Sequence, residues 1–280
     1  LSSPAPAPGI ISDYSDGIPT VAFCLIEPSG TVRAERGADI LFYSASTIKL
    51  GVLIAALREV ERGRLSLDSP IVVSHTFTSA APGGGTYLME AEETDPGMAA
   101  VGQSMPLADV LRRMIVVSAN CATNLVAQTI GLTSVNELFA DAGAAHTVMG
   151  RPFSDGEGLR AGLTNATTAR DLATLMHLLC AGALLNAQLT EIALGLLRAQ
   201  ELPAIGVEVD AVAARDGGSL DWGSKSGAVT GIEHDVAFFG LHGTPPYSLA
   251  VCTRAYAEAE GVETIKAVAS STIQLTALLP

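Results

Sequence analysis

The strand-forming segments of this chain lie at its two ends, and the long stretch between them is helical; that order most restricts the fold. Residues 20–27 and 31–36 are rich in apolar and β-branched side chains and flank Pro28-Ser29-Gly30, which predicts a hairpin. Three more strands are expected at residues 221–229, 234–241 and 247–254, punctuated by Gly231 and by Gly243-Thr244-Pro245-Pro246. Residues 261–279 carry helical spacing at Val262, Ile265, Val268 and Ile273. Between the ends, helices are predicted over 46–62, 106–117, 121–130, 133–141, 168–181 and 186–199. Pro106 suits a first turn, Thr168 and Asn186 suit caps, and Gly63, Gly131, Gly143 and Gly182 suit terminations. Strands from both ends can share one sheet only if the chain is discontinuous in space. The expectation is an α/β fold of two lobes. An antiparallel sheet of about five strands with a packed terminal helix comes from residues 19–43 and 203–280, and residues 44–202 form an all-helical lobe. Residues 1–18 are expected to form an extended segment, and the polar loop 75–103 is long enough to be mobile or functional.

Composition narrows the function. With 280 residues, 48% hydrophobic, and a mean hydropathy of +0.37, the chain can bury a large core. No apolar run reaches the roughly 18–20 residues of a membrane span. A net charge of −13 and a pI near 4.7 argue against a nucleic-acid partner, which needs a basic face. Cys24, Cys121, Cys180 and Cys252 are widely spaced, and neither they nor the five histidines show metal-ligand spacing, so no metal and no cofactor are expected. Cys24 and Cys252 fall in two predicted strands that could be neighbours, but free buried thiols are the favoured reading. The Pro- and Ala-rich start fits what remains after removal of an export signal, so a secreted or periplasmic location is expected, with a cytoplasmic one as the alternative. The expected state is a monomer acting on a small molecule.

Only three lysines occur, and two of them sit in motifs that can carry chemistry. Ser46-Thr47-Ile48-Lys49 puts a hydroxyl at a helix start with an amine one turn later on the same face. The helix terminus favours negative charge developing near Ser46, and burial or a second cation would leave Lys49 neutral enough to act as a base. Ser118-Ala119-Asn120 lies on a turn between helices and could point a hydroxyl and an amide into a cleft, although Ser and Asn are also ordinary caps. Lys225-Ser226-Gly227 lies in a strand, where the lysine could hold a carboxylate or tune Ser118, and the glycine permits close backbone approach.

Ser-x-x-Lys, Ser-x-Asn and Lys-Ser-Gly in this order are similar to the signature set of β-lactamases and penicillin-binding proteins. Together with residues 42–47, 118–125 and 231–237 they make the chain resemble a class A serine β-lactamase, or a close relative among the penicillin-recognising serine hydrolases, from about Thr20 onward. The resemblance implies that Ser46 is the nucleophile and Lys49 its base. Ser118 would relay a proton to the leaving group, and Asn120 would position Lys49 and the substrate amide. Lys225 and Ser226 would bind a substrate carboxylate or support Ser118, in an active site between the two lobes. Gly227 allows the strand to approach, and the backbone N–H groups of Ser46 and Ala228 would form the oxyanion hole.

The chain departs from that pattern in places that bear on function. Ala119 and Ser226 are mild replacements for the usual Asp and Thr. Class A enzymes carry a deacylating Glu in the loop that matches residues 151–165; here Asp155 and Glu157 are the available carboxylates, neither at that spacing, and Phe153 could instead close the pocket against water. Where the family often places a Ser, Thr or Arg to hold a carboxylate, this chain has Ala228 and Glu233. A helix within residues 1–19 to pair with the terminal one is not evident. His234 is expected to be structural, and without Gly-x-Ser-x-Gly a Ser-His-Asp triad is disfavoured. The leading expectation is hydrolysis of an amide or ester through an acyl-enzyme on Ser46, with a β-lactam first among substrates. The alternatives are an esterase, peptidase or biosynthetic acyl-transfer enzyme with the same apparatus, or a penicillin-binding or sensing protein that turns over slowly.

Overall fold

A computed structural model of the chain describes residues 9–90, 93–215, 217–276 and 278. The first eight residues of the expected extended segment, residues 91 and 92 of the loop 75–103, and Ala277 and Leu279 of the expected last helix lie outside these. The central sheet comprises β1 (Thr20–Ile26), β2 (Val32–Arg36), β3 (Asp221–Val229), β4 (Ile232–Gly240) and β5 (Tyr247–Arg254). Every pairing is antiparallel, in the order β3-β4-β5-β1-β2, so the two chain ends meet where β5 pairs with β1 and β3 is left at an edge. Residues 20–27 alternate poorly for a physical reason: helices cover both faces of the sheet, so inward and outward positions are alike apolar. Ala22, Cys24, Val236, Phe238, Ala250 and Cys252 join the core shared with the helical lobe, whereas Leu25, Ala237, Phe239, Leu249 and Val251 join a second core on the opposite face. Cys24 stands opposite Ala250 and Cys252 opposite Ala22, so the two cysteines are diagonal neighbours on one face, and both are free thiols.

The helices are α1 (Lys49–Glu61), α2 (Leu107–Val116), α3 (Asn120–Ile130), α4 (Leu132–Asp141), α5 (Gly156–Arg160), α6 (Ala169–Cys180), α7 (Ala187–Arg198), α8 (Ile205–Arg215) and α9 (Glu258–Ile273). Thr168 and Asn186 cap α6 and α7 as expected, each accepting from the backbone N–H three residues on. Sequence reading missed α8, which packs with α9 into the second core through Ile205, Val209 and Val212. Its start is fixed across the chain: the buried Asp235 carboxylate on β4 accepts from the N–H groups of Ala204 and Ile205 at 2.9 and 2.8 Å. The lobe expected to be all-helical also holds short antiparallel strand pairs: Pro70–Val72 with Ser104–Pro106, Val148–Met149 with Asn165–Thr167 and, inside the loop 75–103, Thr76–Thr78 with Thr86–Leu88. A last correction concerns Ser46. It lies in a 3₁₀ turn, Ala45–Ile48, and the α-helix begins only at Lys49. Among the described residues no helix is long and apolar enough to cross a membrane, and no group of three or more His, Cys, Asp or Glu could hold a metal ion.

Candidate active site

The helical lobe and the edge of the sheet meet at α1, where Lys49, Ser118, Asn120 and Lys225 converge, with Ser46 on the turn just before the helix. α1 is the most deeply buried of the site elements: Lys49 and Leu50 through Leu57 all lie in the interior. A lysine at its first position therefore has no route to solvent, and Lys49 is 0% exposed. Its Nζ donates to Ser118 O at 2.6 Å, Asn120 Oδ1 at 2.8 Å and Ser118 Oγ at 3.2 Å. Every one of these acceptors is neutral, and among the described residues no carboxylate forms an ion pair with it. Burial first, and the charge of Lys225 second, hold Lys49 well below the usual lysine range.

Lys225 on β3 is equally buried. It donates to Ser118 Oγ at 3.0 Å and to Ser226 O at 2.8 Å, and burial pushes it down to about 7, against an upward pull from Asp235. The Ser118 hydroxyl thus accepts from both lysines, which leaves its own proton free to be given away. Two residues here hold left-handed backbone without being glycine: Ala45, immediately before Ser46, at φ 45°, and Ser118 at φ 61°. Such strain costs on the order of 1–3 kcal/mol per residue and persists only where surrounding contacts enforce it. At Ser118 it lets the carbonyl and the hydroxyl both reach Lys49.

Gly227 explains the glycine of the third motif. A Cβ there would lie 2.7 Å from Ser46 N and 2.8 Å from Thr47 N, so β3 can run against the turn that carries Ser46 only if residue 227 has no side chain. Ala228, the next residue, is exposed on the edge strand. Ser226 Oγ accepts from Gln200 Nε2 at 2.7 Å, which leaves its proton available to a substrate oxygen. Gln200 was not picked out from the sequence and carries no local signal of this contact.

The two carboxylates considered for deacylation are not brought to Lys49. Asp155 is fully buried but committed to its own loop, accepting from Ser79 Oγ, Ala80 N and Gly158 N, each at 2.8 Å; it caps α5. Glu157 is exposed and accepts from Gly85 N at 3.3 Å. In their stead the loop presents Phe153, whose ring centre lies 4.7 Å from Lys49 Nζ. Asn124 on α3 fixes that residue from both sides: its Oδ1 accepts from Phe153 N at 2.8 Å, and its Nδ2 donates to Phe153 O at 2.9 Å. Tyr87 Oη donates to the same carbonyl at 2.6 Å. The loop is closed at its base by Gly150 N donating to Thr164 O, and Phe42–Tyr43, just before Ser46, pairs with Asn165–Thr167 just after it. Buried His234 is structural: its two ring nitrogens lie 2.7 Å from Glu233 O and 2.9 Å from Tyr43 O, and burial lowers it to about 4.

A family model described as the beta-lactamase enzyme family matches residues 10–276. Among solved structures, a beta-lactamase from Sphaerobacter thermophilus DSM 20745 is 27% identical with a TM-score of 0.77, over 94% of this chain and 93% of that one. A beta-lactamase from Xanthomonas campestris pv. campestris is 20% identical with a TM-score of 0.73, over 92% of each chain. PBP-A is 24% identical with a TM-score of 0.73, over 91% of this chain and 89% of that one. No curated protein matches the chain.

Proposed function

The chain belongs to the beta-lactamase enzyme family, and on that premise we propose that it is a serine hydrolase acylated at Ser46 by an amide or ester carbonyl, β-lactams included, and that it releases a β-lactam acyl group slowly. The observation that carries this reading is the state of Lys49: fully buried, donating to neutral acceptors alone, with a second lysine held across Ser118. A lysine so placed is a base. Ser46 Oγ attacks the carbonyl carbon as its proton passes to Lys49. The carbonyl oxygen takes up negative charge against the N–H groups of Ser46 and Ala228. The carbon–nitrogen or carbon–oxygen bond then breaks as Ser118 gives its proton to the leaving atom and regains one from the lysine pair. Such preorganised donors lower the barrier by several kcal/mol.

Slow release follows from Phe153. Hydrolysis of the acyl-enzyme needs a water and a base to take its proton, and the loop sets an apolar ring against Lys49. A linear ester or amide loses its leaving group to solvent, so water can enter and use Lys49. The opened β-lactam keeps its leaving nitrogen tethered over the same space. Incubation with a chromogenic cephalosporin is expected to give one covalent adduct per chain, absent in Ser46→Ala, and turnover far slower than its formation. Fast steady-state turnover with no accumulated adduct would rule out slow release. No Ser46 adduct from cephalosporins, penicillins or short-chain esters would rule out the proposal itself.

The acylation rate should also depend on pH in a defined direction. Lys49 works when neutral, so kcat/KM falls as pH drops through its lowered pKa. Lys225 can bind a substrate carboxylate only when charged, so for carboxylate-bearing substrates a second decline is expected as pH rises through the region near 7. Substrates without a carboxylate should show only the acid limb. A bell-shaped profile shared by both classes would contradict the role given to Lys225.

A further inference from the structure

A cavity of about 450 Å³ opens at the far end of β3, lined by Ala228, Val229 and Thr230 on one side and by Glu233, Tyr256 and Glu258 on the other. Glu233 sits on β4 directly opposite Ala228 and is 9% exposed. Among the described residues its carboxylate has no hydrogen-bond or ion-pair partner, and none of those that line the cavity is a cation. The side chain fits because Gly261 on α9 has none: a Cβ there would lie 2.7 Å from Glu233 Cγ. Burial, reinforced by the negative charge of Glu258, raises Glu233 to about 7. The side chain is largely covered while its carboxylate opens onto the cavity, so a group bound there would supply the counter-charge that the surrounding side chains do not.

Building on the acylation reading above, we infer that this cavity receives a cationic group of the substrate, an ammonium or guanidinium, on the side of the scissile carbonyl that extends past Ala228. Glu233 lies on the α8/α9 face of the sheet and Gly227 on the face toward Ser46, but β3 is the edge strand, so a substrate whose carbonyl oxygen rests on the Ala228 N–H lies over that edge and has the cavity on its far side. Lys225 on one face of β3 and Glu233 behind the other then offer opposite charges to a substrate lying over the edge. A substrate with a carboxylate toward Lys225 and a cation toward Glu233 matches both, and an amide of amino-acid character is the chemical class with that pattern. A carboxylate extending toward Glu233 would be repelled.

The test uses p-nitrophenyl esters of γ-trimethylammoniobutyrate and of its neutral tert-butyl isostere, in which carbon replaces nitrogen, each corrected for its rate with hydroxide. At about pH 8, where Glu233 is charged, the wild-type chain should favour the cationic ester about tenfold or more in kcat/KM, mostly through KM. Glu233→Gln should bring that ratio to about one, and added salt should shrink it in the wild type. Equal wild-type rates for the two esters, or a preference that survives Glu233→Gln, overturn the inference. If the neutral ester is still cleaved in a Ser46-dependent manner in that case, only the inference has failed. If neither ester depends on Ser46, the acylation reading has failed and takes the inference with it.

Discussion

Lys49→Met is expected to lower the rate of Ser46 acylation about 10³-fold while the chain stays folded. Methionine fills nearly the same volume in the same apolar shell, so little packing is lost. It removes a lysine whose burial is unfavourable, and it leaves Ser118 O and Asn120 Oδ1 without a donor, so the two effects on stability oppose each other. The effect on rate has no such offset. Among the described residues Lys49 is the amine directly beside the nucleophile, at the foot of the Ser46 turn, whose pKa burial lowers; Lys225 is engaged with Ser118 and Ser226. The measurement is the second-order rate of adduct formation by intact mass, with melting temperature as the control. The residual rate should also lose its acid limb, because the group that titrates there is gone. A variant that melts like the wild type and acylates within about threefold of it would show that Lys49 is not the base.

Phe153→Glu is expected to speed loss of the β-lactam adduct about 10²–10³-fold, turning a lasting acyl-enzyme into steady turnover. The residue is already held in place by Asn124 and Tyr87 through its backbone, so the substitution changes the side chain without releasing the loop. A carboxylate there would stand where the ring now faces Lys49, able to take a proton from an entering water. Two costs follow. Losing a buried ring should destabilise the chain by about 3 kcal/mol. The new negative charge should also raise the pKa of Lys49 and move the acid limb of acylation to higher pH. The adduct's decay is read by mass after excess β-lactam is removed. A folded variant whose adduct decays no faster would mean that access of water, and not the missing base, limits release.

Much of the site was legible in the sequence, and the reason is local. Ser46 and Lys49 are one turn apart. Ser118 and Asn120 share one short turn, and Lys225, Ser226 and Gly227 share one strand, so each group carries its own spacing. The strands were legible from β-branched content and turn residues, and most helices from their caps. The helix α8 was missed even though Ile205, Val209 and Val212 repeat at helical spacing; its N-terminus is capped by Asp235, some thirty residues away, and not by a neighbour. Asp155 and Glu157 were considered as bases from composition alone. Nothing local reveals that Asp155 is taken up by Ser79 and Ala80, 76 and 75 residues away.

The sequence by itself determined which groups could react and the order in which the chain supplies them, because those properties depend on side-chain chemistry and short-range spacing. Only the tertiary structure decided their state. The pKa of Lys49 is lowered because the helical lobe buries it, and its partners at Ser118 lie 69 residues further along. Phe153 faces it because Asn124, 29 residues earlier, fixes the loop. Glu233 fits beneath α9 because that helix presents a glycine to it. Desolvation and unpaired charge arise from everything packed around a group, and no stretch of neighbouring residues specifies that.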